Sequence, residues 1–179
     1  MQTSALVLID YENAAKHIQE GRFIPEKFRG NVFAINRLFT WIRSEVDNIF
    51  DTFLFSPLHI VYTDYQLIHD IGLVPTTCPK VPLGSPFRKD TVDPILIEKG
   101  LKWITHPALT HLCLVSGDGD FIPLVKAAKK RGLKIMLSAL DPSFARVPGR
   151  TFLSKDLAKL ADISPKTGES MIHFFSPMA

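Results

Sequence analysis

The chain has few cysteines and no long hydrophobic run. Its 179 residues include only two cysteines, Cys78 and Cys113. Their wide separation matches neither a disulfide framework nor a cysteine-based metal site. No segment approaches the ~20 apolar residues of a membrane-spanning helix, and the first residues lack the features of a secretory signal. We therefore expect a protein of the reducing cytoplasm that has no membrane partner.

The chain also lacks a strong charge bias. Its net charge is +3, with 46% hydrophobic and 22% charged residues. This weak positive charge is compatible with an anionic polymer as partner but does not establish one. The length fits one domain, which we expect over residues 1–164, with residues 165–179 as a C-terminal tail or edge arm. Assembly into a homo-oligomer stays open.

Short apolar runs alternate with segments of helical periodicity. The runs predict four buried strands: Ala5–Ile9, Leu58–Tyr62, Leu112–Val115 and Leu133–Leu137. The periodic segments predict helices over about residues 32–49, 92–103, 121–131 and 152–163. This alternation predicts an α/β fold: a three-layer α/β/α sandwich around a central, mostly parallel sheet.

Three segments have weaker patterns. Lys16–Gly30 is polar and broken by glycine and proline, which favours a short helical turn and a loop. Val74–Pro86 contains four prolines and one glycine close together, so it is either an extended edge segment or a surface loop. Met171–Phe175 is either an added edge strand or an ordered arm.

Carboxylates follow two of the predicted strands. Asp10 ends the first apolar run, with Asn13 close behind, and the sequence Ser116-Gly117-Asp118-Gly119-Asp120 ends the run at Val115. The carboxyl ends of parallel strands share one edge of a sheet, so these side chains are expected to lie together. Asp93, in the first turn of a predicted helix, can face the same edge. Helix capping and the helix dipole are the structural alternatives for these acids.

Several carboxylates at one place repel one another, and a divalent cation relieves that repulsion. Mg²⁺ and Mn²⁺ prefer oxygen ligands, and their recurrent use with phosphates is phosphodiester cleavage. The glycines of the Ser116–Asp120 loop allow a tight turn and the close approach of a phosphate. The pattern therefore favours a metal-dependent enzyme acting on a nucleic acid.

Three motifs resemble those of NYN domains, a group of PIN-like nucleases that includes the LabA-like proteins. The segment LIDYENA resembles their "IDxxN" opening, and Val92-Asp93 followed by Leu96 resembles their "VDxxL" helix start. Residues 114–135, LVSGDGDFIPLVKAAKKRGLKI, resemble their "SGDxDFxPLV…GxxV" segment. The resemblance extends from Ala5 to about Ser164, and the SGDGDF stretch is its most specific part.

The resemblance implies a PIN-like α/β/α sandwich with a ribonuclease site that uses Mg²⁺ or Mn²⁺. The family's acids fall on Asp10, Asp93, Asp118 and Asp120 as catalytic and metal-binding residues, with Asn13 and Ser116 as polar neighbours. The sequence departs from the family pattern six residues after Asp93. Lys99 stands there, where many members carry a further aspartate.

The expected partner is RNA, in single-stranded form. Its phosphates are expected to contact a basic set made up of Arg88, Lys89, Lys126 and Lys130, for which surface charge is the alternative explanation. Two other functions stay open. Lys99 motivates a non-catalytic RNA-binding or regulatory module. A haloacid-dehalogenase-like phosphatase would use Asp10 as nucleophile with Glu12 two residues later.

Overall fold

A computed structural model describes residues 2–16, 31–82, 88–139, 153–165 and 175–177. A five-stranded, all-parallel sheet lies at its centre. In sheet order its strands are β4 (Pro75–Cys78), β3 (Asn48–Pro57), β1 (Ser4–Asp10), β7 (His111–Val115) and β8 (Lys134–Ser138). The predicted strand that begins at Ala5 is therefore the central strand β1. The one at Leu112 is its neighbour β7, and the one at Leu133 is the edge strand β8.

Helices cover both faces of the sheet. In chain order they are α1 (Ile35–Glu45), α2 (Leu58–Thr63), α3 (Tyr65–Ile71), α4 (Val92–Trp103), α5 (Ile122–Lys130) and α6 (Lys155–Ala158). A π-helical turn, Glu12–Lys16, follows β1, and a 3-10 turn, Gly119–Phe121, precedes α5.

The alternating side chains of β1 explain the three layers. All seven residues of β1 are buried, which only a strand covered on both faces allows. Val7 and Ile9 belong to the core beneath α1, α2 and α3, whereas Leu6 and Leu8 belong to the core beneath α4 and α5. The predicted α/β/α sandwich with a parallel sheet is confirmed.

The prediction for residues 58–62 was wrong. These residues form helix α2, and the strand lies immediately before them, in β3. The predicted helix over 32–49 was too long at both ends, because residues 31–33 form a strand and Asn48 begins β3. The predicted helix over 152–163 reduces to α6 within its described part, residues 153–163. Hydrophobic spacing alone did not mark these boundaries.

The irregular segments add short strands at the periphery. Val74–Pro86 contributes β4 at the sheet edge and β5 (Lys80–Pro82), which pairs antiparallel with β6 (Arg88–Asp90). Residues 83–87 lie outside the described residues, as do residues 17–30 and 171–174. β9 (Phe175–Pro177), in the predicted tail, pairs antiparallel with β2 (Asn31–Phe33).

Candidate active site

The ends of β1 and β7 lie side by side at the carboxyl edge of the sheet. Ile9 pairs with Val115, so the next residues, Asp10 and Ser116, are neighbours. The Ser116 hydroxyl donates a hydrogen bond of 3.1 Å to Oδ2 of Asp10. The backbone N–H of Asn13 donates to Oδ1 of Asp10 over 3.3 Å. Both oxygens of this carboxylate are thus held, and the residue is only 5% exposed.

Asn13 joins the two loops that follow these strands. Its Oδ1 accepts a hydrogen bond of 3.0 Å from the backbone N–H of Gly117. Asn13 lies in the π-helical turn after β1, and Gly117 lies in the loop after β7. The amide therefore fixes one loop against the other, which is a positioning role beside the carboxylates.

Burial is the main influence on the pKa of Asp10, because it disfavours the charged form of the carboxyl group. It raises the pKa of Asp10 from 3.8 to about 7, with further upward contributions from the negative charges of Asp93 and Glu12. The hydrogen bonds from Asn13 and Ser116 lower this pKa and only partly offset the effect. Asp93 is thus close enough to Asp10 to act on it electrostatically.

The loop Ser116–Asp120 is closed by its own side chains. The backbone N–H of Asp118 donates to the Ser116 hydroxyl over 3.2 Å. Oδ1 of Asp118 accepts from the backbone N–H of Asp120 over 2.9 Å and so caps the 3-10 turn. Asp118 is half-buried, and Asp120 is exposed. This arrangement presents Asp118 at the same edge as Asp10.

Ser154 supports this loop from the far end of the chain, and the sequence analysis did not identify it. Its backbone N–H donates to the carbonyl of Gly117 over 2.8 Å, while its hydroxyl caps α6. A Cβ at Gly119 would lie 3.1 Å from Oγ of Ser154, so glycine allows this close approach. The detectable signal was a serine before Lys-Asp-Leu, a pattern typical of a helix N-cap.

The four predicted acids are not gathered into one cluster. Among the residues that the structure describes, no group of three or more His, Cys, Asp or Glu side chains is close enough to hold a metal ion. Asp10 and Asp93 are electrostatically coupled, whereas Asp118 caps the 3-10 turn and Asp120 faces solvent. Their donor atoms are all oxygens, which is the chemistry that suits Mg²⁺ or Mn²⁺. The ligand set stays a prediction.

The basic residues are spread over several elements. Lys126 and Lys130 are exposed on α5, while for Arg88 and Lys89 the structure describes only the backbone of β6. Lys99 lies six residues after Asp93, which places it about 120° away around α4 and about 9 Å further along it. Its ammonium contacts the Phe53 ring of β3 and the Thr76 hydroxyl of β4.

The NYN domain family model matches residues 4–152 of the chain. The chain belongs to the NYN domain family. The match confirms the resemblance carried by the three motifs. Comparisons with curated proteins and with solved structures found no match.

NYN domains have a PIN-like, nuclease-type fold and are generally nucleases that act on RNA and typically use divalent metals. At this coarse level the chain is a hydrolase of the nuclease type. Within the described segments every helix is too short or too polar to cross a membrane.

Proposed function

We propose that this NYN domain hydrolyses phosphodiester bonds of single-stranded RNA with Mg²⁺ or Mn²⁺. The observation that carries the proposal is the burial of the Asp10 carboxylate beside the loop that carries Asp118. The negative charges of Asp93 and Glu12 act on this buried carboxylate as well. A carboxylate buried among like charges is unfavourable without a cation. A site of this kind gains stability when a divalent ion binds.

Asp10, Asp93, Asp118 and Asp120 are the residues proposed to hold the ion. When bound, the ion supplies a Lewis acid for the phosphate and lowers the pKa of water. The chain's own polar groups prepare the site: Ser116 orients the Asp10 carboxylate, and Asn13 fixes the loop that carries Asp118. Glycines on both sides of Asp118 allow the tight turn that presents its side chain, and Gly119 also allows the close approach of Ser154.

RNA cleavage with matched variants tests the proposal. A single-stranded RNA labelled at one end is incubated with the protein in Mn²⁺, in Mg²⁺ and in EDTA, and the products are separated on a gel. We expect cleavage in the metal ions only, and its loss in Asp118→Asn, which keeps an oxygen to cap the 3-10 turn. Asp51→Asn is the control, because Asp51 lies in the amino half of β3, beside Leu6. Metal-dependent cleavage that survives Asp118→Asn overturns the assignment.

A second function is a non-catalytic RNA-binding module. Two observations favour it: Oδ1 of Asp118 is engaged by Asp120, and the described side chains contain no three-ligand metal group. RNA binding that EDTA does not change, together with no cleavage in any divalent metal ion, selects this function. The family match gives no support to the phosphatase alternative.

The cytoplasmic location and the possible homo-oligomer are both predictions from the sequence. Cys78 and Cys113 are buried free thiols, which is compatible with the proposed cytoplasmic location. Homo-oligomer formation stays open.

A further inference from the structure

A groove with a volume of about 320 Å³ runs along one side of α4. Its lining residues are Ile95, Glu98, Lys99, Lys102 and Trp103. These positions are three, four, seven and eight residues apart, so they share one side of the helix. The groove combines an aromatic ring, aliphatic surface and two cations in one place.

Trp103 is held against other rings. Its ring centroid lies 5.7 Å from that of Phe50, in an edge-on arrangement, and 5.8 Å from that of Phe53. His106 lies next to the same ring, at 6.3 Å. Trp103 remains partly exposed even so. These contacts fix the orientation of the indole while a part of its surface stays accessible from the groove.

The two lysines make the groove positive. Nζ of Lys99 lies 3.9 Å from the centroid of the Phe53 ring and 3.5 Å from Oγ1 of Thr76. An ammonium group has three donors, so these contacts leave Lys99 with donors to spare. Lys102 is exposed. The ion pairs of the described residues involve neither lysine, and Glu98 is the one acid in the lining.

We propose that this groove binds single-stranded RNA, with a nucleobase stacked on Trp103 and a neighbouring phosphate held by Lys99 and Lys102. Aromatic rings beside cations are the common means of binding single strands, because every base offers a π-face and every linkage a negative charge. An unpaired base can reach the indole, whereas a base within a duplex cannot. The proposal rests on the proposed RNA substrate but not on cleavage.

Tryptophan fluorescence gives a direct readout. The chain has two tryptophans, so Trp41→Phe leaves Trp103 as the only indole. This variant is titrated in EDTA, where cleavage is excluded, with an oligouridine of about 12 nucleotides, a length within the range that single-strand modules contact. We expect the RNA to quench Trp103. An abasic oligomer of equal length, which keeps the phosphates, should leave the fluorescence unchanged.

Charge variants test the lysines by fluorescence anisotropy with the same labelled RNA. Lys102→Glu is expected to weaken binding about tenfold, and Lys99→Gln several-fold. Lys134→Glu is the control, since it makes the same charge change on the exposed start of β8. Equal effects of Lys102→Glu and Lys134→Glu would overturn the proposal, as would RNA binding without quenching of Trp103.

The outcomes separate this proposal from the ribonuclease assignment. Cleavage in Mn²⁺ without quenching of Trp103 overturns the groove proposal alone. Quenching with Lys102-dependent binding, but without cleavage in any metal ion, supports the groove and removes the ribonuclease assignment. If the groove instead binds a second copy of the chain, Lys102→Glu should abolish self-association of the protein and leave its RNA binding unchanged. That result counts against the proposal.

Discussion

The hydroxyl of Ser116 contacts both segments of the candidate site: it donates to Oδ2 of Asp10 and accepts from the backbone N–H of Asp118. One buried serine thus links the end of β1 to the loop after β7. This link is the basis of the first prediction.

Ser116→Ala should weaken metal binding. The alanine removes a hydrogen bond that orients the Asp10 carboxylate and lowers its pKa, so Mn²⁺ affinity should fall by about tenfold, as is typical when an outer-shell partner of a ligand is lost. Calorimetric titration with Mn²⁺ measures the change. Ser138→Ala is the control, since Ser138 ends the neighbouring strand β8 and its buried hydroxyl has no hydrogen-bond partner among the described residues. Equal Mn²⁺ affinities in the two variants would contradict the role of Ser116.

Gly100→Ala should show how closely α4 packs on the sheet. A Cβ at this position would lie 2.8 Å from Leu124 and 3.1 Å from Leu8, both buried side chains. Overpacking typically lowers the free energy of unfolding by about 1–3 kcal/mol. The higher helix propensity of alanine raises it again by about 1 kcal/mol. In a Leu124→Ala background the 2.8 Å contact disappears and only the 3.1 Å approach to Leu8 remains, so the same substitution should cost less. Urea unfolding of the four proteins measures the cycle, and equal costs in both backgrounds would refute close packing.

Asp162 should make the stability of the chain depend on acid pH. Its Oδ1 accepts from Lys129 Nζ and its Oδ2 from the backbone N–H of Ile135, each over 2.8 Å. These bonds fasten the segment after α6 to α5 and β8, and they hold the pKa of Asp162 below its usual value, with Lys129 the larger cause. A depressed carboxyl pKa contributes stability above the unfolded pKa of about 4, and that stability is lost as the pH falls through the folded pKa.

Asp162→Asn is therefore expected to lower the free energy of unfolding by about 1 kcal/mol at pH 7, allowing for solvent screening. The difference from the wild type should vanish toward pH 2. Denaturant unfolding across this pH range measures it. Asp156→Asn is the matched control, because Asp156 is exposed on α6, pairs with Lys159, and accepts no hydrogen bond from a strand among the described residues. A pH-independent effect of Asp162→Asn would show that its charge is not involved.

The sequence predicted the parts of the fold that local pattern determines. The apolar run Ala5–Ile9 is buried because helices pack on both faces of the sheet while strands pair with both of its edges, and its continuous hydrophobicity reflects that. The helix α4 has the predicted span, 92–103. The polar residues that follow β1 and β7 meet at one edge, as parallel pairing requires.

Other elements depend on contacts that local pattern does not contain. Residues 58–62, Leu-His-Ile-Val-Tyr, have the composition of a strand but form part of helix α2. They follow Pro57, the last residue of β3, and β3 is paired with β4 up to that residue. The pairing of β2 with β9 joins segments more than 140 residues apart. The brace from Ser154 to Gly117 also spans distant parts of the chain. Tertiary context decides such elements, and local propensity does not.

The sequence predicted that polar residues meet at this edge of the sheet but not how their side chains are arranged. The sequence pointed to Asp10, Asn13 and Asp118, and the structure places them on adjoining loops. The capping of the 3-10 turn by Asp118 matches the helix-cap alternative, whereas the exposure of Asp120 was not predicted, because rotamers at loop ends depend on the backbone of the loop.

The central claim is that a divalent ion binds between these acids, and a crystal soaked in Mn²⁺ tests it most directly. The account predicts an anomalous-scattering peak at the carboxyl edge of the sheet, with carboxylate oxygens of Asp10 and Asp118 as direct ligands and Asp93 bound directly or through water. Ordered Mn²⁺ elsewhere, or none at saturating concentration while Asp118 still caps the 3-10 turn, would contradict it.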